Sequence, residues 1–113
     1  MINILEYSDI TFPEDFLWGA TTAGQQIEGN NNSFYDDKEI APKFAYGGVP
    51  YQMAGRACNS YEMYKEDIAL LKKMHLNSYR MSLEWSRIEP VEGQFDEKEI
   101  EHYRDVLKEL KKN

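Results

Sequence analysis

Two acidic side chains, Glu28 and Glu84, are the first candidates for chemistry in this sequence of 113 residues. A pair of carboxyl groups supports acid and base catalysis when one is protonated and the other is ionised. Nothing in the spacing of these two residues brings them to one site, so we interpret both as structural. His75 and His102 are too far apart in the pattern to suggest a metal site, and we expect both on helix surfaces.

Arg80 is the residue whose chemistry is hardest to satisfy within the sequence. It falls on the polar face of a predicted strand, together with Ser78 and Ser82. An arginine is always charged and is seldom buried unless a carboxylate accepts its hydrogen bonds. No acid in the sequence is obviously placed to do so. The alternative is a solvated arginine on an exposed strand face.

The elements that must position these side chains can be predicted from hydrophobic periodicity and capping residues. A short apolar run ended by Gly24 predicts a buried strand. Asn59 with Glu62 is typical of a capping box that opens an amphipathic helix, and Asp96 with Glu99 repeats that pattern. The apolar spacing predicts that Ile68 is buried on the first helix and that Tyr103 and Leu107 are buried on the second. In chain order the predicted elements are a strand over 16–23, a long loop over 24–58, a helix over 59–75, a strand over 77–85 and a helix over 96–112.

The long loop over 24–58 combines turn-forming residues with five aromatic residues. Connections of this length without regular structure are unusual in a compact domain, and those that occur are usually functional or disordered. The aromatic content predicts a packed loop rather than a free linker.

The alternation of strands and helices predicts an α/β fold with parallel strands joined by right-handed crossovers. Two strands and two helices leave both edges of such a sheet unpaired and cover only one of its faces, although parallel sheets are almost always covered on both. A closed barrel of eight such units needs roughly 200 to 250 residues. We therefore expect the sequence to supply about a quarter of one barrel domain, and residues 1–113 to belong to that single domain.

Composition excludes several classes of function. The net charge of −7 repels phosphate backbones and anionic lipids, so nucleic-acid and membrane partners are not expected. Cys58 is the single cysteine, which allows no intrachain disulfide and no thiolate zinc cluster. No apolar run approaches the roughly 20 residues that span a bilayer, and no targeting segment is apparent at the start. We predict a cytoplasmic protein without a cofactor or metal.

Four separated blocks resemble the amino-terminal part of family 1 glycoside hydrolases, the β-glucosidase type. The blocks agree in order and spacing over nearly the whole chain. They are FPEDFLWGA at 12–20, QIEG at 26–29, the helix with EDI at 66–68, and YRMSLEWSRI at 79–88 followed by Pro90.

The resemblance implies the first two βα units of a (β/α)8 TIM barrel that hydrolyses β-glycosides with retention. Retention uses two carboxyl groups roughly 5 Å apart, one as nucleophile and one as acid and base. In the family these two glutamates lie in Asn-Glu-Pro and Glu-Asn-Gly segments, and neither occurs here. Glu89, within Ile88-Glu89-Pro90, is a superficial match that we interpret as structural. The chain is therefore expected to hold no catalytic residue and to be inactive alone.

Two family roles match residues of this sequence. Gln26 matches the glutamine that binds hydroxyl groups of the substrate sugar, which suits an amide because it both donates and accepts hydrogen bonds. Gln25 precedes it, but Gln26 keeps the family's spacing to Ile27-Glu28-Gly29, so we assign the role to Gln26. Arg80 matches the arginine that contacts the nucleophilic carboxylate and keeps it ionised. Trp18 and Trp85 could stack on sugars, although we expect both in the core.

Other functions remain open at this point. One is a non-catalytic interaction or sugar-binding module whose sheet edges are covered by a partner or by self-association. A monodisperse chain with protected amides would favour the module, whereas aggregation would favour a dependent piece of a larger barrel. Another is a 6-phospho-β-glycosidase, because the sequence contains no residue that decides between plain and phosphorylated sugars.

Overall fold

A computed structural model describes residues 11–44 and 53–112 of the chain. Its two strands are three residues long, and two of its helices exceed three turns. The elements are β1 (Gly19–Thr21), α1 (Gly24–Ile27), a 3-10 turn (Ala41–Phe44), α2 (Ser60–Lys73), β2 (Ser78–Arg80), α3 (Trp85–Ile88) and α4 (Glu97–Lys112).

The two strands pair in parallel, as the alternation of strands and helices predicts. Gly19 lies opposite Ser78, and Thr21 lies opposite Arg80. Gly19 is required by this close approach, because a Cβ atom there would lie 2.8 Å from the backbone oxygen of Ser78. The helix α2 lies between the two strands in the chain. Because the strands are parallel, their carboxyl ends lie at the same end of the sheet.

The core lies where α2 and α4 pack together. Ile68 of α2 is 3% exposed, and Tyr103 and Val106 of α4 are equally well covered. Leu107, which the periodicity of α4 also predicts to be buried, is exposed. The two helices thus bury a narrow strip of apolar side chains, and large apolar side chains elsewhere in the described part of the chain stay open to solvent.

Both strands are shorter than predicted. The strand predicted over 16–23 is reduced to Gly19–Thr21, because Asn77 Oδ1 accepts the backbone N–H of Trp18 just before the strand begins. The strand predicted over 77–85 ends at Arg80, and Trp85 begins a helical turn instead. The alternation of polar and apolar residues beyond Arg80 has another cause, since Ser82 Oγ accepts the backbone N–H of Gly24.

The long loop predicted over 24–58 contains regular structure that periodicity could not detect. Residues Gly24–Ile27 form one helical turn directly after β1. A single turn contains too few residues to show a 3.6-residue period. The segment 45–52, with three of the turn-forming residues and two of the five aromatic residues of the predicted loop, lies outside the described residues.

The two predicted helix caps have different outcomes. Asp96 Oδ1 accepts the backbone N–H groups of Lys98 and Glu99 at 2.9 and 3.3 Å, as an N-cap should. Asn59, by contrast, adopts a left-handed conformation with φ 57° and makes no side-chain cap hydrogen bond, so that predicted capping box is wrong. Glu99 does not complete the second box, because its carboxylate accepts the hydroxyl of Tyr61.

This difference predicts unequal effects of two cap substitutions. Asp96→Ala removes two hydrogen bonds to the first turn of α4 and should lower the free energy of unfolding by about 1 kcal/mol. Asn59→Gly should cost nothing, because glycine adopts the left-handed conformation more readily than asparagine does. The free energies can be compared by urea unfolding in a folded protein that contains the chain. An equal loss for both variants would contradict the assigned caps.

Within residues 11–44 and 53–112, no helix combines the length and the apolar character needed to cross a membrane.

Candidate sugar site at the carboxyl end of the sheet

The two candidate site residues lie at the same end of the parallel pair. Arg80 is the last residue of β2 and pairs in register with Thr21, the last residue of β1. Gln26 lies on α1, which begins three residues after Thr21. In barrels of this type the active site forms at the carboxyl ends of the strands.

Gln25 and Gln26 have different surroundings. The amide of Gln25 is used within the loop, because its Nε2 donates to Asp36 at 2.9 Å and its Oε1 accepts the hydroxyl of Ser33 at 2.8 Å. The side chain of Gln26 is exposed and has no hydrogen bond to any residue of the described part of the chain. Of the two amides, only that of Gln26 is available to a ligand.

The guanidinium of Arg80 is similarly available. It is exposed and donates one long hydrogen bond, 3.3 Å from Nη1 to Thr21 Oγ1. No described carboxylate lies within salt-bridge distance of it.

Glu28 lies beneath the candidate site, in a buried polar network. Glu28 is 6% exposed. Its Oε2 accepts hydrogen bonds from Tyr103 Oη at 2.8 Å and from Arg87 Nε at 3.2 Å. The hydroxyl of Tyr103 also accepts the backbone N–H of Glu84 at 3.1 Å. Glu28 is therefore a structural residue of the network and not one of two free carboxylates.

Burial dominates the electrostatics of this network. Desolvation raises the pKa of Glu28 above its usual value, although the hydrogen bond from Tyr103 and the charge of Arg87 act in the opposite direction. Desolvation together with the adjacent Glu28 raises the pKa of Tyr103 far above its usual value, so its hydroxyl stays protonated and donates to Glu28.

Arg87 connects several parts of the network. Besides Glu28, it donates from Nη2 to the backbone oxygen of Gly29 and to Asn31 Oδ1. Its guanidinium also lies over the ring of Tyr61, 4.1 Å from the centroid. Gly29 has φ 79°, and a Cβ atom there would lie 1.9 Å from the backbone oxygen of Arg56, so only glycine fits this turn.

The remaining acidic candidate, Glu89, accepts hydrogen bonds from residues close to it in the sequence. Its carboxylate accepts hydrogen bonds from Trp85 Nε1 and from the backbone N–H of Gly93, both at 2.7 Å. These two bonds lower the pKa of Glu89, with the bond from Gly93 as the larger cause. This agrees with the structural interpretation of Glu89.

Three of the aromatic expectations are wrong. Trp18 and Trp85 are 47% and 56% exposed instead of lying in the core. Trp18 packs against Phe12 and Phe16 with ring centroids 4.7 Å apart, at the start of β1. His102 is half-buried and stacks on Tyr61 at 3.9 Å rather than lying on an open helix surface. Within the described ranges, no cluster of ligand-type side chains could hold a metal.

Sequence reasoning missed the partners of Glu28. Arg87 lies in the YRMSLEWSRI block that supports the resemblance, but periodicity assigned it no role. Tyr103 looked like an ordinary core residue of α4, because its hydroxyl contact spans 75 residues of sequence. The available signal was the presence of a glutamate and an arginine within two separate family blocks.

Comparison with known proteins identifies the class. The sequence matches the profile of glycosyl hydrolase family 1 over residues 8–113. The chain belongs to this family.

Individual relatives agree with the family match. Beta-glucosidase A of Acetivibrio thermocellus is 37% identical over 110 residues, which are 94% of this chain and 25% of that protein. Myrosinase 1 of Brevicoryne brassicae is 37% identical over 111 residues, covering 93% of this chain and 24% of the relative. The solved beta-glycosidase from Pyrococcus horikoshii is 40% identical with a TM-score of 0.72, over 88% of this chain and 22% of that one.

The chain thus spans about a quarter of the length of the relatives it matches. The predicted α/β class is confirmed in its coarser form, as part of the fold of family 1 glycosidases.

Proposed function

We propose that this chain forms the first two βα units of a (β/α)8 barrel in a retaining β-glycosidase of the β-glucosidase type. The observation that supports this most directly is the pair of exposed polar side chains, Gln26 and Arg80, near the carboxyl end of a parallel strand pair. In this proposal Gln26 binds hydroxyl groups of a β-glucoside, and Arg80 contacts a nucleophilic carboxylate supplied by another part of the barrel.

The shape of the chain supports its role as part of a larger domain. Its radius of gyration is 18.6 Å, whereas a compact domain of this length has a value of about 13 Å. No side chain in the described ranges is fully buried. Surfaces of this kind become stable when neighbouring units cover them.

The same surfaces support self-association of the isolated chain. Among the residues that the structure describes, each strand has one unpaired edge, and Trp18 and Leu83 are exposed near the strands. Unpaired parallel edges attract further strands. A non-catalytic module would instead need a monodisperse chain with well-protected amides.

The proposal is tested with the chain alone and with a fusion. The fusion joins the full 113-residue chain to the three quarters of Beta-glucosidase A that follow its matching segment. We expect the chain alone to hydrolyse no aryl β-glucoside, because the family's two catalytic segments are absent from it. We expect the fusion to hydrolyse this substrate, since it adds those segments.

A truncated control shows whether the activity of the fusion depends on the amino-terminal quarter. The truncated relative without any amino-terminal quarter should be inactive. Turnover by the purified chain, or a folded fusion without activity, would contradict the proposal. Assaying a 6-phospho-β-glucoside beside the plain glucoside in the natural full-length enzyme would decide between the two substrate classes.

A further inference from the structure

We propose that Tyr103, on the outer helix α4, is a positioning residue for the sugar-binding amide of Gln26. This inference rests on the proposed function of Gln26. Tyr103 itself touches no substrate; it acts by holding α1, the single helical turn that presents Gln26.

The first step concerns what fixes Gln26. The side chain of Gln26 has no hydrogen bond within the described part of the chain, so the backbone of α1 alone fixes where its Cα lies and where its Cα–Cβ bond points. That backbone has only one turn, Gly24–Ile27. A helical turn of four residues is not stable alone, since nucleation is unfavourable. Contacts with the rest of the chain must therefore hold α1 in place.

The second step identifies those contacts. At the start of α1, the backbone N–H of Gly24 donates to Ser82 Oγ at 2.7 Å. At its end, Glu28 accepts the hydroxyl of Tyr103 at 2.8 Å and the guanidinium of Arg87 at 3.2 Å. Gln26 lies between these two tethers.

The third step explains why Tyr103 matters among the tethers. Its hydroxyl bridges two segments, because it donates to Glu28 and accepts the backbone N–H of Glu84 at 3.1 Å. Glu84 lies in the segment after β2, four residues beyond Arg80. One buried hydroxyl thus links the segments that follow β1 and β2. The first segment holds Gln26, and the second begins directly after Arg80.

A double-mutant cycle in the active fusion tests this inference. We expect Gln26→Ala to lower kcat/KM for an aryl β-glucoside about 100-fold and Tyr103→Phe to lower it about tenfold. If Tyr103 acts through Gln26, the double variant should lose no more than Gln26→Ala alone. Losses that multiply to about 1000-fold would overturn the inference.

A matched control is available on the neighbouring helix. Tyr61→Phe also removes one hydroxyl bond to a carboxylate, the 2.8 Å bond to Glu99 that joins α2 to α4. The substitution keeps the ring that lies under Arg87 and the backbone N–H that donates to Glu28, so it leaves the contacts of Tyr61 with the end of α1 in place. We expect kcat/KM of this variant to stay within about twofold of the parent. A tenfold loss would mean that general helix packing, not the tether, determines activity.

Hydrogen exchange supplies a measurement independent of turnover. The backbone N–H groups of Gln26, Ile27 and Glu28 are bonded within the turn, to Ala23 and Gly24. In the fusion, Tyr103→Phe should raise exchange of these three amides about tenfold while leaving the amides of α2 unchanged. A uniform rise across α2 and α4, or no change, would overturn the positioning role.

A second variant approaches the same turn from its other end. Ser82→Ala removes the tether at Gly24 and should show the same non-additivity with Gln26→Ala. It also keeps the test available if Tyr103→Phe proves too unstable to assay. Full activity in Gln26→Ala itself would instead contradict the proposed role of Gln26, which separates that failure from a failure of the positioning role.

Discussion

Substituting Arg80 by methionine in the fusion should lower kcat/KM for aryl β-glucosides by about 100-fold. The guanidinium is exposed and donates only to Thr21, so nothing in the described chain neutralises its charge. In the proposed enzyme this charge lies beside the nucleophilic carboxylate and stabilises its ionised form. Methionine preserves length and apolar contact but removes the charge.

The pH profile shows whether the loss has this electrostatic cause. Without the nearby positive charge, the pKa of the nucleophile should rise by about 1 to 3 units. The acidic limb of the kcat/KM profile should therefore shift to higher pH in Arg80→Met. Arg80→Lys, which keeps a positive charge, should restore most of the original limb. A large loss of activity with an unshifted acidic limb would contradict the assigned role.

Arg104→Met is the matched control for this substitution. Arg104 is also an exposed arginine, but it lies on α4 and pairs with Glu101 at 3.1 Å. Exposed pairs of this kind contribute little to stability. We expect its kcat/KM and its pH profile to equal those of the parent fusion.

Replacing Glu28 by alanine should lower the free energy of unfolding of the fusion by about 3 kcal/mol or more. The substitution leaves Arg87, whose side chain is only 15% exposed, without its carboxylate and Tyr103 without its acceptor. It also leaves a cavity beneath α1. Urea unfolding followed by circular dichroism measures the change as a lower midpoint at constant slope.

A paired substitution distinguishes charge from volume. Replacing both Glu28 and Arg87 by methionine removes the ion pair without leaving one charge unpartnered, and should cost less than Glu28→Ala alone. An equal or greater cost would mean that packing, and not the uncompensated charge, dominates at this site.

The raised pKa of Glu28 predicts that the cost of replacing this residue by glutamine depends on pH. Because the folded pKa is raised, the stability contributed by Glu28 is fully present below its unfolded pKa and is lost as pH rises through the folded pKa. Glu28→Gln, which does not titrate, should therefore cost less stability at pH 7 than at pH 4. Measuring the difference between variant and parent cancels the opposite effects of the exposed acids, such as Glu101, whose pKa values are lowered.

Local sequence patterns predicted those parts of the fold that depend on neighbouring residues. The buried positions Ile68 and Tyr103, the cap at Asp96 and the parallel pairing follow from periodicity and capping chemistry. The end of β2 did not, because alternation continues after Arg80 although the chain there has left the strand and Ser82 accepts the first backbone N–H of α1. Local alternation cannot distinguish these two causes.

The candidate site divides in a similar way. Gln26 and Arg80 were identified from the family resemblance, and the structure places both near one end of the sheet. The buried network could not be predicted, because the contact of Glu28 with Tyr103 joins residues 75 positions apart. Neither residue type requires that contact, and only the tertiary fold brings their side chains together.

The order of synthesis gives this long-range contact a further consequence. A ribosome releases Glu28 well before Tyr103, so the buried hydrogen bond between them cannot form until the first half of α4 has emerged. Contacts that are distant in sequence also form slowly. The segment after β1 should therefore become fully ordered on the nascent polypeptide only when this part of α4 is available.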